Sequence, residues 1–225
     1  MKTQDEIFKE FEGDGWFDRN KDKIGAKESV SSDLPIKLID LYNLKPKKCL
    51  EIGCSNGWRL DEIYKRINCE CIGIEPSKKA VDEGRKKFKN IQFFNSTADS
   101  IPLDDASVDL LIINFVFHWV DRKTLLKTVY EIDRILKDKG YLIIGDFYPD
   151  YPTKVKYHHL PDENIFTFKQ NYTDIFISTS CYKMIAFLSG HHETHKLTID
   201  VDSNSRMMTA LLQKDINFNY QTKTL

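Results

Sequence analysis

A chain of 225 residues has the length of one large domain, and a hydrophobic content of 41% with 14 Phe, 10 Tyr and 3 Trp excludes global disorder. The 33 Lys+Arg offset 34 Asp+Glu to a formal net charge of -1, so no basic surplus argues for a nucleic-acid partner. No apolar run reaches the roughly 18 residues of a membrane helix, the N-terminus lacks the apolar segment of a signal peptide, and five cysteines without a C-x-x-C pair read as reduced thiols, so the expectation is a soluble cytoplasmic protein.

Residues 1–30 are charged and carry an aromatic cluster, Phe8, Phe11, Trp16 and Phe17. They read either as a helix and turn packing onto the domain or as an N-terminal lid or clamp, with Trp16 covering a ligand and Arg19 reaching an anion. A helix capped near Ser32 or Asp33 follows, with Pro35 in its first turn and Leu34, Leu38, Leu41 and Tyr42 on one face.

The short apolar run from Cys49 ends in Glu51-Ile-Gly53, and Gly53-x-x-x-Gly57 opens a helix whose Leu60, Ile63, Tyr64 and Ile67 share a face. This strand–loop–helix brings unpaired helix N–H groups to the carboxyl end of a strand, where open α/β sheets bind ligands. A second strand runs from Cys69 to Glu75, and Ser77 caps a basic helix reaching about Phe88. Ile91–Phe94 is a short third strand, and the continuous apolar run Val108–Asn114 is a strand covered on both faces. A helix capped by Asp121 is expected to run to Gly140, and Tyr141–Asp146 is the fifth strand. Alternating strands and helices imply a doubly wound, Rossmann-like α/β fold with a mainly parallel sheet.

The alternation stops at residue 147. The segment 147–174 holds Pro149, Pro152, Pro161 and Tyr157-His-His159, and reads as an acceptor-side insertion over the carboxyl edge of the sheet. Tyr182–Leu188 and Met207–Leu212 are strand-like and form an antiparallel pair that finishes the sheet. His191-His-Glu-Thr-His195 lacks the order of a zinc helix and reads as a solvated loop, so no metal is expected.

Carboxylate spacing carries chemistry. A dinucleotide unit places an acid about 20 residues past its glycines to hold ribose hydroxyls, and Glu75 fits that position, since a carboxylate accepts two charge-assisted bonds from a cis-diol. Asp99 and Asn114–Trp119 follow the next two strand ends, where Asp99 could accept from an adenine amine and Phe115 could floor the pocket. The phosphate-binding Gly-x-Gly-x-x-Gly is absent, which argues against an NAD-dependent oxidoreductase.

Cys49–Gly57, Gly73–Ser77, Ser96–Asp99, Asn114–Trp119 and Leu136–Asp146 together resemble the successive motifs of a class I SAM-dependent methyltransferase of the type 11 kind. The resemblance covers roughly residues 45–148 and implies a seven-stranded sheet with an antiparallel final strand and S-adenosylmethionine as cofactor; the length is read as a single domain over 1–225. It implies that Glu51, Gly53, Cys54 and Gly57 surround the methionine part, with Glu75 at the ribose, Asp99 beside adenine, and Asn114 and Phe115 on the wall. The family's middle glycine is Ser55 here, which fits if its φ stays negative. Motifs outside the core, including Gly13–Asn20 and Phe168–Tyr172, resemble small methylases of surface-polysaccharide sugar biosynthesis. The implied reaction is methyl transfer to a small molecule such as a sugar or nucleotide-sugar hydroxyl. A hydroxyl acceptor needs a base, for which His158, His159, His118 and Asp146 are the candidates; His118 reads rather as a structural residue after the fourth strand, and Asp146 as a residue that orients an imidazole or binds a sugar hydroxyl. RNA or protein methylation, and a non-catalytic member of the fold, are the alternatives.

Overall fold

A computed structural model describes residues 2–217 together with 220 and 223, so the outermost residues of the single domain expected over 1–225 lie outside it. In chain order the N-terminal segment comprises α1 (Gln4–Ile7), a π-helical turn at Phe8–Glu12, α2 (Gly13–Asn20), α3 (Lys27–Ser32) and α4 (Leu34–Leu41). The βα units follow as β1 (Lys48–Ile52), α5 (Trp58–Ile67), β2 (Glu70–Ile74), α6 (Lys78–Lys87), β3 (Ile91–Phe94), β4 (Val108–Asn114), α7 (Leu125–Ile135) and β5 (Leu136–Phe147). The chain then makes β6 (Thr153–Lys156), β7 (Phe166–Lys169), α8 (Thr173–Ile177), β8 (Tyr182–His191) and β9 (Arg206–Lys214).

The main sheet has seven strands in the order β3-β2-β1-β4-β5-β9-β8. The first five are parallel, and β9 runs antiparallel between β5 and β8, as the sequence implied. Chain order reverses direction between β1 and β4, and the crevice outside the carboxyl ends of these strands is where such sheets bind ligands. Successive strand residues serve opposite faces. Leu111 and Ile113 of β4 therefore join the layer under α7 and α8, while Leu110 and Ile112 join the layer under α4, α5 and α6. Cys69 and Cys71 share one face, their sulfurs 3.8 Å apart, and neither is in a disulfide.

Several expected elements are displaced for physical reasons. Asp33 caps α4 by accepting the Ile36 N–H at 2.9 Å, but Leu41 and Tyr42 are exposed and Ile36 and Ile39 are buried in their place. α7 stops at Ile135 rather than Gly140 because Leu136 already pairs with Val108; the pairing resumes at Tyr141 and Leu110, so residues 137–140 loop out as a bulge. Asp121 accepts backbone N–H bonds from Lys123 at 2.8 Å and Gln4 at 2.8 Å, and it is Thr124 that immediately precedes α7.

The 147–174 segment forms the β6–β7 hairpin, and Tyr157 and Ile165 pack with Ile7 and Phe8 in a small core of their own. The N-terminal segment is latched at both ends. Gln4 donates to the Trp119 and Phe166 carbonyls and accepts the Phe166 N–H. Buried Glu12 takes the Tyr157 hydroxyl at 2.6 Å and pairs with Arg19, so Arg19 faces inward to Glu12 and not to a ligand, contrary to expectation. Gly13 allows the segment to cross close to the main domain: a Cβ there would lie 2.7 Å from the Phe8 carbonyl oxygen and 3.1 Å from the Ser77 nitrogen. Tyr157→Phe leaves this buried carboxylate one donor short. A loss of about 2 kcal/mol is expected for a bond to a charged group, measurable by urea unfolding.

Candidate functional site

Above β1 the chain turns through three left-handed residues, Gly53 (φ +70°), Ser55 (φ +52°) and Gly57 (φ +84°). The Gly53 and Cys54 N–H groups both reach the Ile74 carbonyl, at 2.8 and 3.2 Å, which ties the turn to β2. At Gly53 a Cβ would sit 2.3 Å from Val116 Cγ2, so glycine is required by space as well as by φ. Ser55 corrects the expectation of a negative φ. Its N–H donates to Glu75 Oε2 at 2.8 Å, a bond that holds the backbone in this conformation, while its Oγ is buried without a hydrogen-bond partner.

Glu75 is the hub of this edge. Its second oxygen, Oε1, accepts the Ser77 N–H at 2.8 Å. Ser77 caps α6 through Ala80 and donates its hydroxyl to Asp14 of α2 at 2.7 Å, bringing the N-terminal segment over the site. Burial pushes the Glu75 carboxyl up to about 7, against the pull of the Ser77 and Ser55 N–H bonds. Beneath the same loop, Arg59 is buried between Asp33, which it holds at 2.9–3.2 Å through three contacts, and Glu51. Glu51 is likewise pushed by burial to about 7 despite Arg59.

These elements surround a cavity of about 780 Å³, within the size range of small-molecule and cofactor sites. Of the residues expected from sequence, Gly53, Cys54, Glu75, Asn114 and Phe115 line it, as does Trp16. Glu51 and Gly57 stand behind the wall: Glu51 acts through Arg59, and Gly57 packs against Phe93. Asp99 is not on the wall. It is bonded to the Thr97 hydroxyl at 2.7 Å and to Lys127 at 3.2 Å, which hold it ionised against its partial burial; Ser96, Thr97 and Ala98 line the cavity instead.

The expected bases are also relocated. His158 and His159 are exposed, their rings 3.9 Å apart, and neither lines the cavity because Tyr157 between the hairpin strands turns inward to Glu12. His118 and Asp146 are brought together: Nδ1 lies 2.9 Å from Asp146 Oδ1, and Oδ2 accepts the His118 backbone N–H at 3.2 Å. Both are fully buried one residue behind the wall, bracing the turn that carries Phe115 and Trp119. The cavity-lining histidine is His195, with Glu193 and Thr194, from the β8–β9 connection that the sequence suggested was a solvated loop. Burial keeps the His195 imidazole below its ordinary pKa. Asp33 and Arg59 were also not expected as wall residues; the sequence signals were a helix cap and one Arg beside the glycine loop. Among the described residues no His, Cys, Asp and Glu group could hold a metal, and no helix is long and apolar enough to cross a membrane.

Residues 50–144 match the family model described as a methyltransferase domain. That segment is less than half of the chain, and it is what the chain shares with the family. It is 29% identical over 118 residues to the ubiquinone/menaquinone biosynthesis C-methyltransferase UbiE of Campylobacter jejuni, covering 49% of each protein. It is 29% identical over 113 residues to the malonyl-(acyl-carrier protein) O-methyltransferase of Halalkalibacterium halodurans, covering 47% of this chain and 41% of that protein. The chain thus spans half or less of these curated relatives. Among solved structures, the 1,6-didemethyltoxoflavin-N1-methyltransferase of Burkholderia thailandensis, with bound 1,6-didemethyltoxoflavin and S-adenosylhomocysteine, aligns with a TM-score of 0.67 at 11% identity over 93% of this chain and 87% of that chain. A SAM-dependent methyltransferase from Methanosarcina mazei aligns at 0.65 with 15% identity, over 80% of this chain and 97% of that one. At these identities the structures speak for the fold.

Two outcomes are expected of the glycine loop after β1. Ser55→Gly removes a left-handed side chain and an unpartnered buried hydroxyl while keeping the backbone bond to Glu75. It should stabilise the protein by about 1 kcal/mol in thermal unfolding. Because the Glu75 carboxyl is raised from 4.5 to about 7, the stability it contributes is fully present below about pH 4.5 and lost as pH rises through about 7. Between pH 5 and 8 the stability of Glu75→Gln relative to the wild type should therefore rise; equal slopes in that window would mean that Glu75 ionises as an ordinary carboxylate.

Proposed function

We propose that this protein transfers a methyl group from S-adenosylmethionine to a small-molecule acceptor. The observation that carries the reading is Glu75, a buried carboxylate on the cavity wall with one backbone N–H on each oxygen. A carboxylate has about four acceptor sites, so two remain for the adjacent hydroxyls of a ribose. The unpartnered Ser55 Oγ on the same wall is a second polar group that a polar cofactor would satisfy. Ser96, Thr97 and Ala98, at the next strand end, form the wall for adenine, and Asn114 with Phe115 closes the opposite side. The Arg59–Asp33 pair and His195 face the end of the cavity suited to the charged amino-acid part.

When bound, S-adenosylmethionine supplies an electrophilic methyl group, and in-line displacement depends on alignment and exclusion of water. The chain's contribution to alignment is rigid. Phe115 is held at φ +55°, with its N–H on the Gly145 carbonyl at 2.7 Å, and His118 and Asp146 brace the turn from behind. Water exclusion falls to the N-terminal segment, which places Phe8 and Trp16 over the cavity.

A dinucleotide oxidoreductase fits less well: the position that would carry the third phosphate-binding glycine is Trp58, whose side chain also borders the cavity. A sugar hydroxyl as acceptor rests on the weaker resemblance, whose His158 and His159 stand away from the cavity. The names of the relatives, a quinone-pathway C-methyltransferase and a malonyl O-methyltransferase, support methyl transfer without agreeing on an acceptor.

Calorimetric titration with S-adenosylmethionine, S-adenosylhomocysteine and NAD tests the reading. Both sulfur nucleosides should bind and NAD should give no heat. Glu75→Ala should weaken S-adenosylhomocysteine by roughly tenfold or more, since hydrogen bonds to a charged group contribute about 1.5–3 kcal/mol. Binding of NAD with silence toward both sulfur nucleosides would overturn it.

A further inference from the structure

Resting on the methyl-transfer reading, we infer that Asp5 of α1 reads the 6-amino group of the cofactor's adenine, in place of Asp99. Adenine presents that amino group as a hydrogen-bond donor, so a site selective for it needs an acceptor there. Asp99, at the strand end expected to supply one, is turned away. Its carboxylate takes the Thr97 hydroxyl at 2.7 Å and Lys127 at 3.2 Å, and it does not border the cavity. The residues left on that wall offer little. Ser96 and Thr97 donate their hydroxyls to the Ser100 carbonyl and to Asp99, and Ala98 has no polar side-chain atom. A neutral hydroxyl oxygen is a weaker acceptor than an ionised carboxylate.

Among the described residues, the carboxylates that border the cavity are Asp5, Asp33, Glu75 and Glu193. Asp33 is held by Arg59, Glu75 serves the ribose, and Glu193 belongs with His195 at the amino-acid end, which leaves Asp5 for the base. Asp5 is fixed at the start of α7: one oxygen accepts the Asp121 N–H at 3.2 Å and the other the Thr124 hydroxyl. Lys127, the partner of Asp99, follows Thr124 by one helical turn, so both carboxylates meet the same end of α7. Burial raises the Asp5 carboxyl above its ordinary range against its two hydrogen bonds, and the nearby Asp99 charge adds to the rise. Each Asp5 oxygen retains acceptor capacity. Phe8, one turn further along the N-terminal segment, also borders the cavity and gives the base a ring surface. The segment thus meets the cofactor at two points, through Asp14 and Ser77 at Glu75 and through Asp5 at the base.

The full chain is titrated calorimetrically with S-adenosylhomocysteine and with S-inosylhomocysteine, whose 6-oxo group accepts where the 6-amino group donates. The wild type should bind the inosine compound more weakly by roughly tenfold or more. Asp5→Asn, with an amide that donates to the oxo group, should bring the two affinities within about twofold of each other. A loosened N-terminal segment weakens both ligands alike, so the ratio reads recognition and not folding. Thr124→Val keeps the carboxylate but removes the hydroxyl that orients it. It should lower the ratio by roughly threefold and stands in where Asp5→Asn does not fold. Asp99→Asn should leave the ratio as in the wild type. Equal wild-type affinities, or a ratio that changes with Asp99 and not with Asp5 or Thr124, would overturn the inference. Absence of S-adenosylhomocysteine binding by the wild type would instead overturn the methyl-transfer reading beneath it.

Discussion

The two backbone N–H bonds on Glu75 are the constraint on which the rest of the carboxyl edge depends. Ser55 belongs to the loop after β1 and Ser77 to the turn before α6, and one carboxylate fixes both. Through the Ser77 hydroxyl the same centre reaches Asp14, so the N-terminal segment is referenced to the ligand wall and not merely draped over it. An ionised buried carboxylate is costly unless several donors meet it. Here burial outweighs two donors, and a diol placing two more hydroxyls on the same oxygens would favour the charged form.

The N-terminal segment and the 147–174 hairpin form one unit. Gln4 exchanges hydrogen bonds with Phe166, Tyr157 reaches Glu12, and Tyr157 and Ile165 share a small core with Ile7 and Phe8. The hairpin does not border the cavity among the described residues; it holds from outside the segment that does. Its influence on the site is therefore mechanical, exerted on Trp119 through Thr167 and on Phe8 through packing.

Much of the framework was legible because it depends on local rules. Continuous apolar runs marked buried parallel strands, Ser77 and Asp33 marked helix starts, and the Gly53–Glu75 spacing marked a ligand edge. What sequence reading misjudged depended on partners distant along the chain. Asp99 occupies the expected strand end, but Lys127, from the start of α7, draws its carboxylate away. His158 and His159 lie in the expected excursion, yet the inward turn of Tyr157 leaves them outside. His195 looked solvated because its motif is polar; it reaches the cavity only because β8 and β9 run together to the carboxyl edge and their connection folds back over it. Arg59 was visible as a residue, but not its burial between Asp33 and Glu51, which come from two other elements.

Left-handed backbone occurs both on the cavity wall and away from it, as at Ala106, Lys139 and Ser180. Left-handed φ at a non-glycine residue costs about 1 kcal/mol or more and persists where surrounding structure imposes it. At Asn43 and Asn68 it falls on asparagines at helix ends, where such residues tolerate it. At Ser55, Phe115 and His195 it falls on residues that line the cavity, and each is fixed by a backbone N–H bond: to Glu75, to the Gly145 carbonyl and to the His191 carbonyl. A phenylalanine in this region has no intrinsic preference for it. The strain is imposed by the sheet, and its effect is to direct a ring into the cavity that an extended residue after β4 would aim elsewhere. Ser55 belongs with these positions: the fold enforces a geometry that glycine would adopt freely, at a stability cost that leaves the shape of the site unchanged.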